Sequence, residues 1–232
     1  MIIAIDGPAG AGKSTISARL AAAIGFTRLD TGALYLAIAW SALEAGLAAG
    51  ESPALQAHLD ALTLTMEAGE VVIDKRRPGL ALRSPEVSRA ASDFAALPQV
   101  RARLLELQRS LGRARDSILD GRDIGTVVFP DAELKLYLTA SVEARATRRA
   151  AELEARGEQV SLREVARQIE ARDRQDQERP IAPLRCAEDA IIIDASTLSI
   201  DEVVQRCLSL ALARGAQLGE DARKEHSAGG AR

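Results

Sequence analysis

The chain has 232 residues, which is enough for one large domain or for a core with small inserted subdomains. Apolar residues make up 47% of it and charged residues 27%, as is ordinary for a globular protein that buries a core. Thirty basic and thirty-three acidic side chains leave a formal charge of -3. This balance argues against a general nucleic-acid coat and against a binder of anionic membranes.

Several classes of protein are excluded by what the sequence lacks. The apolar runs are too short for a membrane span, and the opening apolar run stops after four residues, at Asp6, Gly7 and Pro8, which does not fit a secretory signal. Cys186 and Cys207 have no Cys-x-x-Cys spacing and the two histidines are isolated, so neither a disulfide framework nor a zinc site is indicated. We therefore expect a cytoplasmic protein.

Predicted strands and helices alternate along the chain, a pattern typical of a mainly parallel sheet with helices on both faces. Short apolar segments predict five strands, at Ile2–Ile5, Phe26–Leu29, Ser117–Leu119, Leu134–Leu138 and Ala190–Ile193. Helical spacing of apolar residues predicts helices at Ser14–Ile24, Leu34–Ala45, Val100–Ala114, Val142–Ala155 and Ile200–Ala213. We therefore expect an α/β fold.

Two stretches interrupt this alternation. Residues 62–83 alternate apolar and polar side chains between glycines and a proline, which predicts a small antiparallel insert. Residues 156–183 are highly charged, and the run Ser161–Glu164 predicts a capping box at the start of a helix. This helix is either a lid or a salt-bridged surface helix. The polar, Gly-rich residues 214–232 predict a disordered tail.

The segment between the first strand and the first helix reads Gly-Pro-Ala-Gly-Ala-Gly-Lys-Ser and fits the phosphate-loop pattern G-x-x-x-x-G-K-[ST]. The glycines let the backbone curl so that N–H groups point at phosphate oxygens, and the helix dipole adds positive potential. Lys13 can bridge the β- and γ-phosphates, and the Ser14 hydroxyl can reach Mg²⁺. We assign nucleotide binding to Gly7, Pro8, Ala9, Gly10, Ala11, Gly12, Lys13, Ser14 and Thr15, with Ser14 as the metal ligand.

The loop indicates a nucleoside triphosphate but does not say what is done with it. A regulatory GTPase would usually show an N-K-x-D motif, which this sequence lacks. An ATPase motor would be expected to show a plain Walker-B acid within a larger chain. Phosphoryl transfer to a small acceptor is therefore favoured, and a nucleotide-binding regulatory module with a slow ATPase stays open as the alternative from another class.

A second run follows the third predicted strand, where Asp120–Pro130 reads Asp-Gly-Arg-Asp-Ile-Gly-Thr-Val-Val-Phe-Pro. Residues just past the carboxyl ends of parallel strands face the ligand crevice. Together with the phosphate loop, this run resembles the bacterial cytidylate kinase family. Leu29–Tyr35 and the Arg-Asp-x-x-Asp-x-x-Arg pattern of Arg172–Arg179 resemble it too, and the resemblance covers about residues 1–212.

The resemblance implies a P-loop NTPase-type fold in which a parallel five-stranded sheet carries flanking helices, a small antiparallel insert and a helical lid. It implies transfer of the γ-phosphoryl group of ATP to CMP or dCMP with Mg²⁺, by a monomer that has small-molecule partners and binds neither nucleic acid nor membrane. A kinase for UMP or AMP stays open, although an adenylate-type enzyme would show Asp-Gly-Phe-Pro-Arg where this chain has Asp120–Ile124. The resemblance divides the chain into a core (1–30, 100–155 and 184–213), a monophosphate-binding region (31–99) and a lid (156–183).

The resemblance also carries residue roles onto matching positions. It implies catalytic roles for Lys13, Arg122, Arg172 and Arg179. The acceptor would be bound by Thr31, Tyr35, Arg83, Ser92, Arg101, Arg122, Asp123, Asp176 and Arg179. For Arg83, as for the cluster Arg145, Arg148 and Arg149, a solvated surface is an equally good interpretation.

Base recognition is assigned to three of these residues, Ser92, Arg101 and Asp123. An acidic acceptor there rewards the amino group of cytosine over the carbonyl of uracil. The sequence departs from the family at Leu36, where an arginine is usual, and at Gln175, where some members carry another lid arginine. These departures bear on how the acceptor phosphate is bound.

Overall fold

The computed structural model describes residues 1–67, 69–155 and 157–219. The strands in this part of the chain are β1 (Ile2–Asp6), β2 (Thr27–Asp30), β3 (Leu64–Glu67), β4 (Glu70–Ile73), β5 (Ser117–Gly121), β6 (Leu134–Thr139) and β7 (Ile191–Asp194). The α-helices are α1 (Lys13–Ile24), α2 (Thr31–Glu44), α3 (Pro53–Ala61), α4 (Pro85–Phe94), α5 (Pro98–Arg113), α6 (Val142–Glu154), α7 (Leu162–Glu178) and α8 (Ile200–Ala213). A short 3₁₀ turn covers Gly79–Arg83 and a π turn covers Ile124–Val128.

Five strands form one parallel sheet in the order β2-β5-β1-β6-β7, which confirms the predicted strands with shifts of one or two residues at their ends. The central strand β1 is flanked by β5 and β6, and its residues Ile3, Ala4 and Ile5 are buried. Because all five strands run the same way, their carboxyl ends meet at one edge. The register pairs Asp6 with Gly121 and Asp30 with Asp120 at that edge, where the phosphate loop begins.

The predicted antiparallel insert is confirmed as the strand pair β3 and β4, in register from Leu64 opposite Ile73 to Glu67 opposite Glu70. This pair and the helices α2 to α5 enclose an apolar cluster separate from the one beneath the parallel sheet. The region between β2 and α5 is therefore a packed unit of its own beside the sheet.

Two helices of this region, α3 and α4, were not predicted, although the sequence carries a local signal for both. Each begins with a serine followed by a proline. Ser52 Oγ accepts from the Leu55 N–H at 3.1 Å, and Ser84 Oγ accepts from the Val87 N–H at 3.2 Å. A serine N-cap with proline at the first helical position is a standard helix start.

The charged segment forms helix α7, but the predicted capping box at its start is wrong. The Ser161 side chain makes no cap hydrogen bond, and the Glu164 carboxylate instead pairs with Arg167. The helix is not only a solvated surface element, because Val165 and Ile169 are buried against the facing helix α6. An apolar seam therefore holds α7 to α6 while its polar side faces the sheet edge.

The tail predicted from residue 214 lies mostly outside the described residues. The described part, 214–219, returns toward α1: Ala216 is buried, and the Gly219 N–H donates to the Ala23 carbonyl at 2.9 Å. None of the helices in the described ranges is both long and apolar enough to cross a membrane.

Candidate active site

A cavity of about 1850 Å³ opens at the carboxyl edge of the parallel sheet. The phosphate loop forms one wall, and helices α2, α4, α6 and α7 contribute the others. Every predicted site residue lines this cavity except Gly7, Pro8 and Arg101. The sequence motifs, which lie far apart along the chain, therefore meet around one space.

The phosphate loop has the backbone that its glycines permit. Gly7 has a φ of 148°, and a Cβ placed on it would lie 1.9 Å from the Leu138 carbonyl oxygen, so only glycine fits there. The buried Lys13 ammonium donates to the Gly7 and Pro8 carbonyls, both at 2.8 Å. Burial, and next the positive charge of Arg122, hold the pKa of Lys13 well below its usual range. The loop thus holds a buried amine among backbone groups.

The Ser14 hydroxyl lies beside a carboxylate that the sequence analysis did not assign to the site. Ser14 Oγ donates to Asp120 Oδ2 at 3.0 Å, and Asp120 Oδ1 accepts from Ser17 Oγ at 2.7 Å and from Arg28 Nε at 3.2 Å. Thr31 Oγ donates to the Asp120 carbonyl at 2.8 Å. A signal for Asp120 was available, because it lies near the carboxyl end of the strand next to the loop-bearing strand.

A second group of side chains surrounds the carboxylate of Asp123. Arg101, from α5, donates to Oδ2, and Arg179, at the end of α7, donates to Oδ1 at 3.2 Å. The Arg101 guanidinium also lies 5.6 Å from the centre of the Tyr35 ring, within cation–π range. All three charged side chains are at least nine-tenths buried. This group fixes two donors and one acceptor in a nearly dry pocket.

The carboxylate of Asp176 lies between two arginines at the same end of the cavity. Arg122 Nε donates to Asp176 Oδ2 at 2.8 Å, and Arg179 Nη1 lies 3.7 Å from Oδ1. Burial raises the pKa of Asp176, but the charge and hydrogen bond of Arg122 outweigh burial, so the pKa lies below its usual value. Asp176 therefore stays ionised and joins α7 to the segment after β5.

Helix α7 also contacts the phosphate loop itself, through Asp173. Its Oδ1 accepts from the Ala9 N–H at 3.4 Å, and its Oδ2 accepts from Arg145 Nη1 at 2.6 Å. The same Arg145 nitrogen donates to the Ala9 carbonyl at 3.0 Å, and Arg145 Nε donates to the Ala140 carbonyl at 2.9 Å. The solvated interpretation of Arg145 is wrong, because this side chain is buried beneath the loop.

The remaining predicted residues are less constrained. Arg83 and Arg172 line the cavity as exposed side chains, and Ser92 is half-buried on its wall. Leu36 lines the cavity and packs against the apolar cluster of α2 to α5. Gln175 Nε2 donates to Asp93 Oδ1 on α4 at 3.0 Å, so α7 contacts α4 at this position.

The arrangement suits phosphate groups at two ends of one space. The loop supplies backbone N–H groups and Lys13, while Arg122, Arg172 and Arg179 line the same cavity from the segment after β5 and from α7. Phosphoryl transfer depends mainly on such positioning and charge stabilisation.

Comparisons with known proteins agree with this chemistry. The family model described as cytidylate kinase matches residues 3–212. A cytidylate kinase from Desulfitobacterium hafniense (strain Y51) is 49% identical over 211 residues, covering 90% of this chain and 91% of that protein. A cytidylate kinase from Methylococcus capsulatus is 45% identical over 212 residues, covering 90% of this chain and 96% of that protein. A solved structure of an uncharacterized protein from Eubacterium ventriosum shares the fold alone, with a TM-score of 0.50 at 12% identity over 90% of this chain and 97% of that one. This chain belongs to the cytidylate kinase family and is a nucleoside monophosphate kinase.

Proposed function

We propose that the protein transfers the γ-phosphoryl group of ATP directly to CMP and dCMP, in line with the departing ADP. The observation that carries the proposal is a single cavity lined both by the phosphate loop and by Asp123 with its partner Arg179. The names of the relatives support CMP as the acceptor. We further propose that the enzyme acts as a cytoplasmic monomer.

The donor nucleotide would be held by the loop residues 7–15. Their N–H groups and the start of α1 face the β-phosphate, and Lys13 exchanges its carbonyl partners for the γ-phosphoryl oxygens. Ser14 and Asp120 would hold Mg²⁺, since their oxygens already lie 3.0 Å apart and Mg²⁺ prefers such hard ligands. Bound there, the ion would neutralise charge on the β- and γ-phosphates.

The acceptor base would lie against Asp123, Arg101 and Ser92. Both Asp123 oxygens accept from arginines, but an ionised carboxylate has about four lone-pair sites, so one stays open to the cytosine amino group. Arg101 and Ser92 would donate to the ring nitrogen and the carbonyl of the base. The pocket is nearly closed to water, so a mismatched base would bind more weakly because its hydrogen-bond partners would be left unpaired.

The reaction needs no general base, since the acceptor phosphate already presents an anionic oxygen. That oxygen forms a bond to the γ-phosphorus of ATP while the bond to the β,γ-bridging oxygen breaks and its electrons remain on ADP. Arg122 would hold the acceptor phosphate, and Arg172 and Arg179 would stabilise the negative charge on the transferring group. Thr31 and Tyr35, which line the cavity from α2, would contact the acceptor.

A coupled assay with ATP and each of the eight common ribo- and deoxyribonucleoside monophosphates tests the proposal. We expect CMP and dCMP to give the highest kcat/KM. A preference for UMP, AMP or another acceptor would overturn it, and so would ATP hydrolysis without phosphoryl transfer. The Lys13→Ala variant, purified in the same way, controls for contaminating kinases.

A further inference from the structure

Asp6 is a buried carboxylate to which the reaction above gives no role. It ends β1, directly before Gly7, and is 5% exposed. Its Oδ1 accepts from the Ile124 N–H at 2.8 Å and its Oδ2 accepts from the Gly125 N–H at 2.7 Å. These two N–H groups open the π turn that follows Arg122 and Asp123 directly.

The chemistry of this contact requires an ionised carboxylate. Two neighbouring N–H donors that point at one side chain need two acceptor oxygens, and only Asp or Glu in the charged form offers both without a donor. An asparagine at position 6 would turn its amide NH₂ toward one of the two N–H groups. Hydrogen bonds to a charged acceptor are also stronger than hydrogen bonds between two neutral groups.

We propose that Asp6 is a positioning residue that sets the place of the acceptor-binding segment relative to the phosphate loop. The inference rests on the proposed function, in which Arg122 and Asp123 bind the acceptor. The residue that joins Asp6 to the phosphate loop is tightly packed. Gly7 lies so close to the Leu138 carbonyl that no Cβ fits between them. Misplacement of reacting groups by about 1 Å can cost a factor of about a hundred in rate.

The surroundings of Asp6 make the contact sensitive to pH. Burial raises the pKa of Asp6 to about 6, against the lowering effect of its two backbone hydrogen bonds, and the negative charge of Asp123 raises the pKa further while Lys13 lowers it. The other titratable groups that face it are Tyr137, Cys186 and Lys135, the last packing its stem against Gly125. Below about pH 6 Asp6 gains a proton, one oxygen becomes a donor, and the paired contact is lost.

The first experiment compares the wild type with Asp6→Asn in steady-state kinetics. We expect kcat/KM for CMP to fall by roughly tenfold to a hundredfold, the effect of losing one hydrogen bond to a charged group. KM for ATP should change by no more than about twofold, because the Asp6 side chain contacts the turn after Asp123 rather than the phosphate loop. The matched control is Asp74→Asn, since Asp74 accepts from the Thr63 N–H at 2.9 Å and neither residue lines the cavity.

The dependence on pH separates positioning from a structural role. The ratio of wild-type to Asp6→Asn kcat/KM should be large at neutral pH and shrink toward one below about pH 6, because the wild type then loses its carboxylate. The CMP phosphate also titrates at about pH 6, but its titration affects both enzymes equally and therefore cancels in this ratio. A ratio that does not change with pH, or an equal loss of ATP and CMP affinity, would overturn the inference.

A measurement on the wild type covers the case in which Asp6→Asn does not fold. The backbone amide resonances of Ile124 and Gly125 should titrate together with a midpoint near pH 6. Amide shifts that stay constant through this range would refute the role of Asp6. Failure of the wild type to phosphorylate CMP would instead refute the proposed function, so the two outcomes are distinct.

Discussion

Replacing Asp173 by asparagine should loosen helix α7 from the phosphate loop. The variant keeps one acceptor oxygen but removes the charge that faces Arg145 at 2.6 Å, in a pair whose side chains are 5% and 13% exposed. Arg145 keeps its bonds to the Ala9 and Ala140 carbonyls. The seam of Val165 and Ile169 against α6 is untouched, so we expect the helix to stay folded.

The size of the effect follows from this partial burial. Removing one partner of a fully buried pair costs about 3–5 kcal/mol, and a hydrogen bond to a charged group contributes about 1.5–3 kcal/mol. Arg145 retains two carbonyl partners and Asp173 is partly exposed to water. We therefore expect the substitution to weaken docking by the lower of these two free energies, about 1.5–3 kcal/mol. The equilibrium constant for docking of α7 should therefore fall by roughly tenfold to a hundredfold.

Hydrogen exchange of residues 157–183 measures this docking. In Asp173→Asn these amides should exchange faster than in the wild type, and CMP with an unreactive ATP analogue should restore part of the protection. The matched control is Glu170→Gln, which removes an exposed charge from the same helix one turn earlier. Equal exchange in Asp173→Asn and the wild type, or equal acceleration by Glu170→Gln, would refute the reasoning.

Four further substitutions test the roles assigned within the cavity. Lys13→Ala should lower kcat by roughly a hundredfold or more with an unchanged circular dichroism spectrum; a variant that retains more than about a tenth of the rate would contradict the assignment. Asp123→Asn and Ser92→Ala should each reduce the ratio of kcat/KM for CMP over UMP by roughly tenfold, and an unchanged ratio would place base recognition elsewhere. Leu36→Arg should lower KM for CMP by up to about tenfold if the acceptor phosphate lacks a donor there, whereas no change would indicate that another arginine such as Arg83 already serves.

The elements of the parallel sheet were predictable because their signals are local. Each strand is a short apolar run, and the phosphate loop combines glycine, lysine and serine at fixed spacing. The missed helices α3 and α4 also begin with a local signal, a serine and a proline, at Ser52 and Ser84. The predicted capping box at Ser161 failed because Glu164 had an alternative partner in Arg167, one turn away on the same helix.

The contacts of the site were less predictable than its members. Three of the motifs share one cavity because they lie at strand ends that meet at one edge, and the fourth reaches the cavity on helix α7. Which atoms pair is decided by packing between segments far apart in the chain: Asp6 contacts a turn 118 residues later, and Asp120 contacts Arg28 across 92 residues. Both carboxylates lie at the carboxyl ends of buried strands, and a sequence pattern does not distinguish a structural acid there from a functional one.

These contacts link the phosphate loop, helix α7 and the turn after β5 in a ring around the cavity. Asp173 joins the loop to α7, and Arg179 at the end of α7 joins it to Asp123. Asp123 precedes the turn whose N–H groups bind Asp6, and Asp6 leads back into the loop. Under the proposed function, base recognition and the docking of α7 therefore share the carboxylate of Asp123, which accepts from Arg101 on α5 and from Arg179 at the end of α7. We therefore expect a base that binds this carboxylate to act on the residue that contacts Arg179, which would couple acceptor identity to the docking of α7.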